Sequence, residues 1–146
     1  MSADGGATWD ARGSLENAPV PGQDGGWSVG QKTTWLIENS VVELQGGRLL
    51  MFFRTSTGFA YSATSDDKGD TWTEPESTGI DTPDSKTQLL QLAGKQHSKG
   101  PLMLAYNAHK RTTMTGADGE EKKLPPKCIT LLSLSISEDD GKASPR

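Results

Sequence analysis

The chain has 146 residues, enough for one domain, and its formal net charge of −4 gives no basic footprint for nucleic acid. Hydrophobic residues make up only 32%, against 17 Gly and 8 Pro, a balance that suits many short strands and turns, or partial disorder. No apolar run is long enough to span a membrane. No charged-then-apolar leader follows Met1, so no signal peptide is visible and the compartment stays open.

The first element in chain order is a short polar box, Ser2, Asp4, Gly6, Thr8 and Trp9, in the pattern S-x-D-x-G-x-T-W. Ser and Asp side chains accept backbone N–H groups just ahead of them and close a turn. Gly permits positive φ, Thr re-enters a strand, and Trp supplies an apolar plate to bury between sheets. The box is read as a structural hairpin. It lacks the carboxylate count and closing Glu of a calcium loop, and no metal or other cofactor is expected.

Residues 13–31 are rich in Gly, Pro, Gln and Asn and read as loop. Ser40–Leu44 is an inner strand, Gln45-Gly46-Gly47 a turn, and Arg48–Arg54 a nearly continuous apolar strand, as expected where both faces are covered. Thr55–Gly58 turns the chain into a third strand, Phe59–Thr64. A second complete box follows, with Ser65, Asp67, Gly69, Thr71 and Trp72, and leads into a fourth strand at Thr71–Glu74.

The cycle then restarts. Ser85–Leu92 is an inner strand, Ala93–Gly100 a turn, Pro101–Asn107 a second strand, Ala108–Lys127 a long polar loop, and Cys128–Ile136 a third strand. The single cysteine, Cys128, excludes an internal disulfide and reads as a buried strand residue rather than a reactive thiol. A third box opens with Ser137, Asp139 and Gly141 and lacks its Trp. The boxes start at positions 2, 65 and 137, intervals of 63 and 72 residues, which suit one four-stranded propeller blade plus a long loop.

These boxes resemble the Asp-box, or BNR, repeats of sialidases and related sugar-active propellers. The stretch from Glu38 through Val41, Gly46-Gly47 and Leu49 to Thr55 resembles the first hairpin of such a blade. Ser85-Lys86, Leu89-Leu90 and Leu102–Asn107 resemble the next. The resemblance implies an all-β fold, a partial β-propeller of roughly two four-stranded antiparallel blades. Residues 1–12 are then the remnant of a preceding blade, 13–34 a loop, 35–78 the first full blade, and 79–146 a second blade truncated within its box. Both ends look cut, so the chain reads as a fragment whose remaining blades are missing.

Topology sorts the polar candidates. In an antiparallel blade the first-to-second and third-to-fourth turns share one face, which takes the boxes and His97. Glu38, Arg54, Thr55, Ser85, Lys86, Tyr106, Asn107 and His109 fall at or near the other face. In sialidases the sugar sits on the face away from the boxes, so the resemblance makes Arg54, Glu38, Ser85, Lys86, Tyr106 and Asn107 substrate-binding candidates. Arg54 can grip a substrate carboxylate with its planar fork, or pair with Glu38 or Glu43. Glu38 can accept sugar hydroxyls or act as an acid–base group, or serve as the partner of Arg54. Tyr106 and Asn107 can stack on and bond a sugar, or Tyr106 can pack between blades. Ser85 and Lys86 can touch ligand or cap the strand, and His109 reads as a solvated loop residue.

The implied activity is exo-acting removal of a terminal sialic acid or related sugar by the full-length protein. The partner is a glycan or sugar acid, and this fragment is inactive alone. The alternative is a non-catalytic carbohydrate-binding or scaffold propeller. Sialidases use a Tyr nucleophile, and no position here matches it. Ile37-Glu38-Asn39 stands where the family carries Arg-Ile-Pro. The catalytic residues are therefore left unassigned.

Overall fold

A computed structural model describes residues 2, 4–19, 33–83, 85–94, 99–108, 113–115, 121–123 and 132–141. Eleven strands are present among them: β1 Ala18–Pro19, β2 Thr33–Thr34, β3 Ile37–Glu43, β4 Leu49–Arg54, β5 Phe59–Ser65, β6 Glu76–Asp81, β7 Gln88–Ala93, β8 Lys99–Asn107, β9 Thr113–Thr115, β10 Glu121–Lys123 and β11 Leu132–Ser137. The fold is all-β, with one 3-10 turn at Gln45–Gly47. No helix among the described residues is long and apolar enough to cross a membrane.

Two antiparallel sheets carry the structure. The first has the order β3-β4-β5-β6 and the second the order β11-β8-β7. The strongly apolar run Leu49–Phe53 becomes the second strand of the first sheet, with Leu50, Phe52 and Phe53 buried and Leu49 and Met51 half-buried. Its even members Leu50 and Phe52 join Leu89, Leu102 and Leu104 in a core between the two sheets. Its odd member Phe53 joins Tyr61 and Ala63 on the opposite face, with Leu36, Met51 and Trp72 packed against them. The edge strands β3 and β7 of the two sheets lie side by side. Ser40 ties them: its hydroxyl accepts the Leu89 N–H at 2.9 Å and the Gln88 side-chain N–H at 2.9 Å.

Four expectations need correction. The fourth strand of the first sheet runs Glu76–Asp81, not Thr71–Glu74. Thr73 still pairs with Thr64, its N–H reaching the Thr64 carbonyl at 2.9 Å. Pro75 follows with no N–H to donate, so regular pairing resumes only beyond it. The inner strand of the second sheet starts at Gln88 rather than Ser85. The expected polar loop 108–127 contains the hairpin β9–β10, with Met114 opposite Lys122. The plate Trp9 is 75% exposed, not buried, while Trp72 is half-buried against its sheet. Cys128, His97 and His109 lie outside the described residues.

Candidate functional site

The boxes come first, because they orient everything else. In all three the Ser hydroxyl accepts the N–H of the Gly four residues on: Gly6 to Ser2 at 2.7 Å, Gly69 to Ser65 at 2.8 Å and Gly141 to Ser137 at 2.7 Å. The same hydroxyl donates to the Asp two residues on, at 2.8 Å to Asp4, 2.8 Å to Asp67 and 2.6 Å to Asp139. In the two complete boxes Asp also takes the Thr backbone and hydroxyl groups. Asp67 accepts Thr71 N–H at 2.8 Å and Thr71 Oγ1–H at 2.6 Å, and Asp4 accepts the same groups of Thr8 at 3.0 and 2.7 Å. These donors hold the Asp67 carboxyl down to about 2, the Thr71 hydroxyl contributing most. Asp4 is depressed in the same way, first by the Thr8 N–H. Among the described residues no cluster of three or more His, Cys, Asp or Glu is placed to hold a metal.

Two features of the boxes escaped the sequence. The residue before each Gly also takes positive φ: Gly5 at 70°, Lys68 at 60° and Asp140 at 59°. Asp tolerates that region, but nothing in the spacing marks Lys68 for it. The indole N–H of each Trp folds back onto the Gly carbonyl, at 3.0 Å for Trp9 and 3.2 Å for Trp72.

Strand register separates the two ends of the sheets. Ser65 pairs with Leu49 and Ser137 pairs with Leu102, so the boxes leave one common end. Ile37 pairs with Arg54, and Asn107 with Leu132, at the opposite end. A charged pair marks the box end too: Lys99 Nζ lies 2.8 Å from a Glu43 carboxylate oxygen and holds that carboxyl below its ordinary range.

At the end away from the boxes, Arg54 and Glu38 form an ion pair at 3.0 Å. Glu38 sits in a bulge of β3 with φ of 50°, an unusual conformation for a residue with a side chain. The Arg54 side chain is largely covered, at 22% exposure. Ser85 is buried, and its hydroxyl accepts the Asn107 amide at 3.2 Å. Lys86 is exposed. Tyr106 packs against the core between the sheets, its hydroxyl 3.4 Å from that of Ser135. Of the six candidates, the structure joins Arg54 to Glu38 and Ser85 to Asn107, and gives Tyr106 a packing position.

Apart from Thr55, sequence reasoning passed over the hydroxyl residues around this end. Thr34, Thr55, Ser56, Thr57, Thr82 and Thr87 are all buried there. Thr34 and Ser56 share a hydroxyl bond of 2.9 Å, and Thr55 and Thr57 one of 2.8 Å. The Oγ1 atoms of Thr82 and Thr87 have no partner. Hydroxyl residues scattered over turns and strand ends carry no periodic signal, so the sequence does not mark these pairs.

The comparisons bear on the family and the fold. A family model described as BNR repeat-like domain matches residues 1–144. No curated protein matches. The chain is similar to the crystal structure of a protein of unknown function from Dyadobacter fermentans DSM 18053, with 20% sequence identity and a TM-score of 0.52. That match covers 92% of this chain and 32% of the other, so this chain spans about a third of its relative's length. It bears on the fold alone.

Proposed function

The chain belongs to the BNR repeat-like family, and on that premise we propose that its two sheets are neighbouring blades of a β-propeller whose box-free end faces a sugar acid. The observation that carries the reading is the segregation along the sheets. Rigid turn boxes occupy one end, and Arg54, Glu38, Ser85 and Asn107 gather at the other. Side-by-side packing of β3 and β7 supports the blade geometry, since both strands start at the Arg54 end.

In this reading Arg54 binds the ligand carboxylate through its planar fork, and Glu38 orients the guanidinium and accepts a sugar hydroxyl. The left-handed backbone at Glu38 is a local cost that the Arg54 pairing offsets, a pattern typical of functional sites. Asn107 and Ser85 add neutral hydrogen bonds. The full-length protein acts as a sialidase-like glycosidase. Its reacting groups come from several blades, so these two alone do not turn substrate over.

One observation favours the second reading, a non-catalytic sugar-binding propeller: Arg54 already holds a carboxylate, that of Glu38. Calorimetric titration with N-acetylneuraminic acid tests the ligand reading. Arg54→Lys removes the fork and weakens binding about tenfold or more, the scale of one lost charge-assisted bond. Unchanged affinity, or no binding by the wild type, overturns it.

A further inference from the structure

Strand alternation brings two apolar side chains to the face that carries Arg54. Arg54 follows Leu50 and Phe52 in β4 with a period of two, so it stands on the face that meets the second sheet. Ile37 is its cross-strand partner and shares that face. Only Trp35 and Leu36 separate β2 from β3, so both lie at the Arg54 end. Leu36 packs on the opposite face with Phe53 and Tyr61, and alternation returns Trp35 to the side of Ile37.

Trp35 is 41% exposed and Ile37 40%. The neighbouring sheet is already present on this face: Leu89, Leu102 and Leu104 pack on Leu50 and Phe52, and Tyr106 joins them toward the Arg54 end. It is Leu36, not Trp35, that lines the groove on the other face. The backbone that carries Trp35 is also held. Thr34, just before it, is buried, and its hydroxyl lies 2.9 Å from that of Ser56 and accepts the Ser56 N–H at 3.0 Å. Ser56 stands two residues past Arg54, so the turn after Arg54 and the segment bearing the indole are tied together.

We propose that Trp35, with Ile37 beside it, is the apolar wall of the ligand site: the apolar face of a sugar ring lies on the indole while the carboxylate of the same sugar reaches Arg54. The inference rests on the sugar-acid reading and adds the residue that selects a ring over a bare carboxylate. A guanidinium beside an exposed aromatic surface suits a ligand that is anionic at one point and apolar along one side. A pyranose acid has both, since its ring C–H groups gather on one face. An acyclic hydroxy acid offers the carboxylate alone. Trp supplies a large rigid contact area with only two rotatable bonds, and a backbone tied by Thr34 and Ser56 leaves little freedom to lose on binding.

Two probes separate the wall from the grip: N-acetylneuraminic acid, which carries a ring, and glycolate, which carries a carboxylate and a hydroxyl alone. Nuclear magnetic resonance titration reads both, even where binding is weak. Trp35→Ala weakens N-acetylneuraminic acid about three- to tenfold, the scale of one aromatic contact, and leaves glycolate as in the wild type. Trp35→Phe restores part of the loss, whereas Arg54→Lys weakens both probes. In the wild type the Trp35 indole N–H, assigned by its disappearance in Trp35→Phe, shifts with N-acetylneuraminic acid and not with glycolate. The Trp9 indole, bonded to Gly6 at the box end, shifts with neither. This wild-type readout decides the matter should Trp35→Ala unfold. The wall is overturned, and the Arg54 reading stands, if Arg54→Lys weakens N-acetylneuraminic acid while Trp35→Ala does not. An equal loss for both probes in Trp35→Ala, or a Trp35 indole that stays fixed as the sugar acid saturates, overturns it too. No binding of N-acetylneuraminic acid by the wild type overturns both readings.

Discussion

Ser40 and Leu89 are joined across the two sheets by a 2.9 Å bond from the Leu89 N–H to the Ser40 hydroxyl, with both residues buried. Neither residue belongs to a box, yet this bond fixes how the edge strands β3 and β7 sit together. A buried backbone donor left without an acceptor costs about 1–3 kcal/mol.

Ser40→Ala should therefore destabilise the chain by about 1–3 kcal/mol, since it strips an acceptor from Leu89 N–H and from the Gln88 amide. Urea unfolding measures it. A loss below about 0.5 kcal/mol, the size of an ordinary surface change, would mean that water replaces the hydroxyl freely.

The two box tryptophans should behave differently. Trp72 packs against Phe53 and Tyr61 and is half-buried, so Trp72→Ala should cost about 2–3 kcal/mol, short of the value for a fully buried aromatic. Trp9 is 75% exposed, so Trp9→Ala should stay within about 0.5 kcal/mol. Equal losses in thermal or urea unfolding would contradict the packing described.

The box carboxylates set a pH dependence. Asp67 is depressed from 3.8 to about 2 by Thr71 and Ser65, so its ionised form is the one the fold stabilises. Such a group contributes fully above its unfolded value, and the contribution fades as pH falls through the folded one. The melting temperature of the wild type should therefore drop between pH 4 and 2. Asp67→Asn should start lower at neutral pH and flatten that drop. An identical pH profile in the variant would rule out this carboxylate as a source.

Much of this was legible in the residues. The spacing of Ser, Asp, Gly and Thr predicted tight hairpins because each side chain has one backbone group within reach, and the bonds at Ser65, Asp67 and Thr71 realise that. Strand alternation placed Arg54 and the boxes at opposite ends. What was not legible depends on long-range packing. Thr73 and Pro75 together delay β6, a consequence of pairing with Thr64 rather than of local propensity. The left-handed Glu38 follows from a bulge against β4 that no turn residue announces. The exposure of Trp9 depends on what lies beneath the box, which its own sequence does not encode.

The direct test of the account is a nuclear magnetic resonance titration of the chain with N-acetylneuraminic acid. The reading predicts that the Arg54 guanidinium and the Glu38 and Asn107 amides shift, while the box amides of Gly6, Gly69 and Gly141 stay fixed. Shifts confined to the boxes, or none at all as the sugar acid is raised, would contradict it.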